Sequence, residues 1–278
     1  MPDSNLEYVS GVRGVSVDLD CRSTLAGTAL EVRGSGWDYA ASRTGSMNAA
    51  RSWGEVEFDV SFFDPAAADL FAELTSEDVA QSRPGSLVSN GWRKRCYIVG
   101  CRLAKVTPAY HTSEVTALLL DGVWRRSRRV SFMPSAGAGT SGPLDLPHDL
   151  PNDLAPLPAP SKVEMRGAGG GPVGITVYGP ATSPYIAIGG NTYKVDCSVP
   201  AGGYLTVDPV SEPKRVYLTD ETGAVTDEYA NAELGDGEGS GSYVFERLPR
   251  GFHSVSWTGS FGFDLELYEE VGELPWTS

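Results

Sequence analysis

The sequence predicts a mainly β protein of two domains, the first carrying one helix. Three observations carry that expectation. Short apolar–polar alternations recur along the 278 residues. Glycine and proline (33 and 19 residues) make up about 19% of the chain, against about 12% in average usage, so many tight turns separate the alternations. Composition also changes sharply at a proline-rich stretch near the middle of the chain.

The elements follow in order. Val56, Phe58, Val60 and Phe62 alternate with Glu55, Glu57, Asp59 and Ser61, the pattern of a half-buried strand over 55–63. Asp64-Pro65 then supplies an N-cap and a first-turn proline. Leu70, Phe71 and Leu74 follow at helical spacing, which predicts an amphipathic helix over 65–80, ended by Arg83-Pro84-Gly85. Apolar runs at about 96–106, 113–120 and 129–133 read as further strands.

Residues 143–162 hold six prolines and form neither helix nor central strand. They read as an extended connector between a first domain, 1–142, and a second, 163–278. A glycine run, Gly167-Ala168-Gly169-Gly170-Gly171, reads as flexible linker. Beyond it the pattern is strand throughout. Tyr193, Val195, Cys197 and Val199 alternate with polar residues, as do Leu205 and Val207, and Phe261, Phe263, Leu265 and Leu267. Turn signals at 189–191, 201–203, 221–223 and 235–237 space these strands about ten residues apart, which predicts a sandwich.

Charge narrows the function classes. The net charge is −14, divided into −4 for residues 1–160 and −10 for residues 161–278. An acidic chain does not grip nucleic acid non-specifically, which argues against a sequence-reading DNA or RNA binder. No apolar run approaches the length of a membrane helix, and the first residues lack the pattern of a secretory signal. The one basic cluster, Arg125-Arg126-Ser127-Arg128-Arg129, reads best as a partner for acidic residues of a neighbouring subunit.

The sequence predicts no catalytic residue, no metal site and no cofactor. It holds no nucleophile elbow, no zinc-protease helix and no phosphate loop. His111, His148 and His253 lie far apart with no nucleophile motif beside them. Cys21, Cys96, Cys101 and Cys197 lack zinc spacing. Cys96 and Cys101, five apart on a strand, are expected on opposite faces as reduced, semi-buried thiols. Asp227-Glu228 reads as a solvated acidic face, and Asp236-Gly237-Glu238-Gly239-Ser240-Gly241 as a flexible acidic loop without a calcium ladder. Tyr185, Tyr204, Tyr229, Tyr243, Trp257 and Trp276 are available for a sugar platform, but strand aromatics mostly pack, and Trp257 is expected in the core.

The order of motifs resembles that of siphophage distal tail proteins. Val9-Ser10-Gly11-Val12-Arg13-Gly14 and Thr24-Leu25-Ala26-Gly27-Thr28 are similar to the start of that family's first domain. The strand from Arg95 to Leu103 and the Pro- and Asp-containing joint, Leu146-Pro147-His148-Asp149-Leu150-Pro151, fit as well, with leucines where the family has tyrosines. In the second half, Gly179-Pro180-Ala181-Thr182-Ser183-Pro184-Tyr185-Ile186, Ala201-Gly202-Gly203-Tyr204-Leu205 and Leu248-Pro249-Arg250-Gly251-Phe252 follow in the family's order.

The resemblance implies an N-terminal tail-tube-like β-sandwich with one helix and a C-terminal galectin-like β-sandwich. It implies a structural, non-enzymatic protein of the virion, at the distal end of the phage tail. There it would form a homohexameric ring joining the tail-tube protein to a tail-associated lysin, fibre or receptor-binding protein, in the apparatus of host adsorption. The alternative is a carbohydrate-binding β-sandwich protein recognising host-surface glycans through exposed aromatics; a hydrolase is a third reading.

Overall fold

The computed structural model describes residues 6–20, 24–25, 30–34, 36, 38–41, 47–51, 53–134 and 161–275. Cys21, His148, Trp276 and the proline-rich joint up to residue 160 lie outside these. The described residues are mainly strand, as expected. The chain packs into two compact units, Met1–Arg126 with Glu270–Ser278, and Ser127–Glu269. Both unit boundaries fall inside strands, Trp124–Phe132 and Phe263–Val271.

In the first unit seven antiparallel strands follow one another in the order Ser16–Asp18, Leu6–Val9, Gly85–Ser89, Trp92–Val106, His111–Leu119, Gly54–Phe62 and Thr24–Leu25. The expected helix spans Pro65–Ala80, and the Asp64 carboxylate accepts from the Ala66 N–H, as the Asp-Pro start requires. It buries Phe71 and Leu74, with the Phe71 ring 5.5 Å from Tyr8 and 5.8 Å from Phe62. A second, four-residue helix, Leu30–Arg33, was not expected, because so short a segment has no periodicity to read.

The first unit's core also takes in Val271 and Leu274. Leu274 is buried there, its N–H donates to the Arg33 carbonyl, and the Arg33 guanidinium donates to the Leu274 and Pro275 carbonyls. Trp124 is fully buried, and its indole N–H donates to the same Arg33 carbonyl. The sequence division placed all of 163–278 in the second domain; packing assigns 270–278 to the first unit.

The second unit is a two-layer sandwich. One sheet runs Val225–Asp227, Arg215–Thr219, Tyr204–Asp208, Val173–Tyr178, Phe263–Val271. The other runs Ser161–Met165, Gly251–Trp257, Tyr185–Ile188, Asn191–Lys194. Ile175, Val207, Leu265 and Leu267 from the first sheet share one buried cluster with Val163, Ile186, Ile188 and Val255 from the second. Alternation of more and less buried positions in strands such as Tyr204–Asp208 and Phe263–Val271 is what makes this possible.

Two local expectations are corrected. The run 167–171 is a fitted turn: the Gly170 N–H donates to the Gly167 carbonyl, and Gly171 exchanges two backbone bonds with Leu248. A side chain at Gly171 would collide with the Tyr268 carbonyl. Cys96 and Cys101 lie on the same face rather than opposite ones. Their partners are Leu119 and Val115, and a bulge between Ile98 and Gly100 inserts one residue that resets the alternation.

Candidate functional site

Three regions carry surface or buried chemistry, and each is built by its local strands. In the first unit, residues 97–106 of the long strand Trp92–Val106 pair with His111–Leu119 on one side. Among the described residues nothing pairs with their other side. After the bulge, Cys101 and Leu103 continue the row of Cys96 and Ile98, whose neighbours across the strand are Leu119, Ala117, Val115 and Ser113. Cys96 and Ile98 are buried, yet Leu103 is 58% exposed and Val106 68%. Near this strand end Phe63 is also exposed, its ring 5.4 Å from Tyr110. The result is an unpaired strand edge flanked by apolar side chains. Glu55, Glu57 and Asp59 occupy the opposite sheet face, across from Leu118, Thr116 and Glu114. Glu114 also pairs with Arg102.

The same unit holds buried side chains of ionisable type that sequence reasoning missed. Asp78, 1% exposed, accepts from the Tyr8 hydroxyl (2.7 Å), the Ser10 hydroxyl (2.8 Å), and the Gly11 and Val12 N–H groups (both 2.9 Å). It ties the turn after the first strand to the end of the helix. Burial and the Asp78 hydrogen bond raise the Tyr8 phenol far above its ordinary value. Lys94 is equally buried, its ammonium 5.5 Å from the Trp124 ring centre and 3.4 Å from the Gly34 carbonyl. Burial lowers it to about 8, against the opposing attraction of Asp121. Both residues had a readable signal. Asp78 continues the helix stripe of Phe71, Leu74 and Thr75, and Lys94 lies in the buried row Trp92, Cys96, Ile98.

Asp121 is the third such group. Arg95 donates to it through two guanidinium nitrogens at 2.8 Å each, and Arg125 through a third. Burial alone would raise this carboxyl; the Arg95 hydrogen bond and the charges of Arg125 and Arg95 outweigh it and hold it below its ordinary value. Arg125 also reaches Glu270 at 2.8 Å. The expectation that the arginine cluster serves a neighbouring subunit is therefore corrected. Arg126 lies over the Trp92 ring at 4.7 Å, Arg128 donates to the Glu164 carbonyl, and Arg129 is 3.9 Å from Asp264. The cluster lies along the strand Trp124–Phe132, and its guanidiniums are engaged within their own chain.

The residues weighed for catalysis do not converge. His111 stacks on Phe62 at 5.4 Å, and the His253 ring lies 2.7 Å from the Pro249 carbonyl oxygen. Asp227 accepts from the Tyr229 N–H and Glu228 from the Asn231 amide, both local turn contacts. Cys96 is buried and pushed up to about 12 by desolvation, Cys197 up to about 11, and Cys101 is exposed. Among the described residues no three His, Cys, Asp or Glu side chains gather as metal ligands. The acidic loop is closed by the Gly239 N–H donating to Glu246.

The aromatics divide. Tyr185, Tyr204 and Tyr229 are exposed, and so is Phe252. Tyr243 and Trp257 are half-buried. Trp257 lies edge-on to Phe132 and Phe263, and its indole N–H donates to the Phe261 carbonyl at 3.1 Å. Around Arg215–Thr219 and Val225–Asp227 a cleft of about 920 Å³ opens, with Tyr217 and Tyr229 in its lining.

No protein-family profile matches the chain, and no curated protein matches it in sequence. Solved structures do match, along nearly the whole chain. Two are structures of the phage p2 baseplate in its activated conformation, with calcium and with strontium. They superpose with TM-scores of 0.60 and 0.62 at 8% and 7% identity, over 97% of this chain and 99% of the matched chain in each. Its fold is similar to that of a chain of this phage baseplate. A third match is SPP1 Dit (gp 19.1), described as a paradigm of the hub adsorption apparatus in phages infecting Gram-positive bacteria. It has a TM-score of 0.51 and 10% identity, over 96% of this chain and 99% of that one. At such identities the likeness rests on the arrangement of elements. Both units and their order contribute to it, since each match covers both chains almost from end to end.

Proposed function

We propose that the chain is a structural protein of a phage tail tip, located in the virion at the distal end of the tail. In this reading it forms a hexameric ring that joins the tail-tube protein to tip components: a tail-associated lysin, a fibre or a receptor-binding protein. It acts by assembly and not by catalysis. The observation that carries the reading is the end-to-end likeness to baseplate and hub proteins. The exposed edge of 97–106 supports the ring. An unpaired strand with Leu103 and Val106 in solvent is a liability unless another strand covers it. A head-to-tail contact repeated around a closed ring would cover it in each copy. The acidic sheet face of Glu55, Glu57 and Asp59 supports a surface along which DNA passes without adhering.

Light scattering over a concentration series tests this. The expected particle has six times the mass of the chain. Leu103→Asp, at an exposed position, is expected to leave the melting of the single chain unchanged and to remove the particle. A chain that stays monomeric both alone and with the tail-tube protein of its virion overturns the ring. So does assembly that Leu103→Asp leaves intact.

A further inference from the structure

We propose that the cleft over the strands Arg215–Thr219 and Val225–Asp227 is a binding site for neutral, hydroxyl-rich saccharides. The inference stands apart from the ring reading, because it rests on the second unit alone. The strand register builds the cleft. Tyr217 is paired with Asp227, and Asp208 with Arg215, so aromatic, acidic and basic side chains alternate across the sheet's outer face. The volume of about 920 Å³ lies at the upper end of the range for ligand clefts.

Two properties of the lining select the ligand. The first is charge balance. Two carboxylates, Asp208 and Asp227, and two cations, Lys214 and Arg215, line the cleft, with Asp208 held by the Val210 and Ser211 N–H groups of its own turn. Residues 161–278 carry only seven basic residues against seventeen acidic ones, and two of the seven meet here. With its lining balanced, the cleft adds no local attraction of its own for an anionic or a cationic ligand. It does offer hydrogen-bond donors and acceptors side by side, which is what vicinal hydroxyls need. Arg215 makes no ion pair among the described residues, and Asp227 uses only Oδ1 for the Tyr229 N–H.

The second property is a braced aromatic. Tyr229 is 40% exposed, yet its ring stacks on Phe245 at 5.8 Å with an interplanar angle of 26°. Phe245 belongs to the buried core, and the Lys214 ammonium lies 5.4 Å from the same ring. A tyrosine fixed in this way presents a flat apolar surface without losing much side-chain freedom when a ligand arrives. Such a surface suits the C–H face of a sugar ring, with Val225 extending the apolar floor.

A glycan array of neutral gluco-, galacto-, manno- and rhamno-oligosaccharides, with sialylated and polycationic glucosamine oligomers as charged probes, is the first measurement. The strongest hit is then titrated by calorimetry against the intact chain. A neutral oligosaccharide is expected to bind, with Tyr229→Ala and Asp227→Ala each weakening it at least tenfold. Phe252→Ala, at an exposed aromatic of the other sheet, is expected to change nothing. No neutral hit on the intact chain overturns the proposal, as does preference for a charged probe. Binding that survives both Tyr229→Ala and Asp227→Ala overturns it as well. If Tyr229→Ala does not fold, Asp227→Ala decides alone.

Discussion

The first unit buries Arg33, Asp78, Lys94 and Asp121 among its core side chains; among the described residues of the second unit, Glu269 is the one charged group buried to that degree. The second unit instead closes two sheets over one continuous apolar cluster. The difference follows from what each must hold. A sandwich of alternating strands has two matching apolar faces, and its turns are closed locally, by glycines and by side chains such as Asp208 and Asp220 that accept from N–H groups two to four residues on. The first unit has to fasten three segments to one another and to its core: the hairpin turn at 10–14, the helix end, and the returning chain end at 270–275. Asp78 fastens the first two, and the Arg33 and Arg125 contacts fasten the third. Buried polar groups bind such segments at fixed points, and their removal leaves unsatisfied partners behind.

The largest test of this contrast is Asp78→Ala. It takes the acceptor away from the buried Tyr8 and Ser10 hydroxyls and from the Gly11 and Val12 N–H groups of the turn, and a loss of roughly 3–5 kcal/mol is expected in the first unit. Hydrogen exchange read separately at amides of each unit is the measurement. Loss of protection spread equally over both units would break the comparison, because the second unit makes no use of Asp78.

Lys94→Met is expected to act in the opposite direction, and its size should depend on pH. The folded value, about 8, lies below the ordinary 10.5. Between those two pH values the unfolded chain binds more protons, so the parent's stability rises with pH there. Below pH 8 the full cost of the buried ammonium is present. The methionine variant is therefore expected to exceed the parent by about 3 kcal/mol at pH 7. The gap should close as pH approaches 10.5. Denaturant midpoints at pH 7 and pH 10 check this; a gap that does not shrink would show that the ammonium is hydrated in the folded state.

Much of the fold was legible in local pattern. Gly54–Phe62, Pro65–Ala80 with its Asp64 cap, and the alternation from Phe261 to Leu267 all appear where periodicity places them. What was not legible depends on distant partners. Nothing near Leu274 says that it packs beside Arg33, and nothing in Val99 says that it bulges. The arginine cluster was visible, but its acceptors, Asp121, Glu270, Asp264 and the Glu164 carbonyl, are brought to it only by folding. The cleft was half legible. Asp227 and Tyr229 each drew notice singly, while their meeting with Tyr217 and Arg215 is a product of strand register.

The smallest effect is expected at Trp257, and it sharpens the comparison from the second unit's side. The sequence placed this residue in the core, where truncation to alanine costs about 3–5 kcal/mol. The structure leaves it half-buried, packed edge-on against Phe132 and Phe263. Part of its surface is already in water, and its indole N–H donor disappears together with the ring, so the Phe261 carbonyl is the only group left to find a new partner. About 2 kcal/mol is therefore expected for Trp257→Ala, confined to the second unit. An apolar cluster distributed over two sheets tolerates the loss of one peripheral member, because the neighbouring strands remain paired. A single buried carboxylate holding four donors has no such redundancy. If Trp257→Ala cost the second unit more than Asp78→Ala costs the first, the apolar sandwich would be the more brittle of the two constructions, and the assignment of fixed points to the first unit would fail.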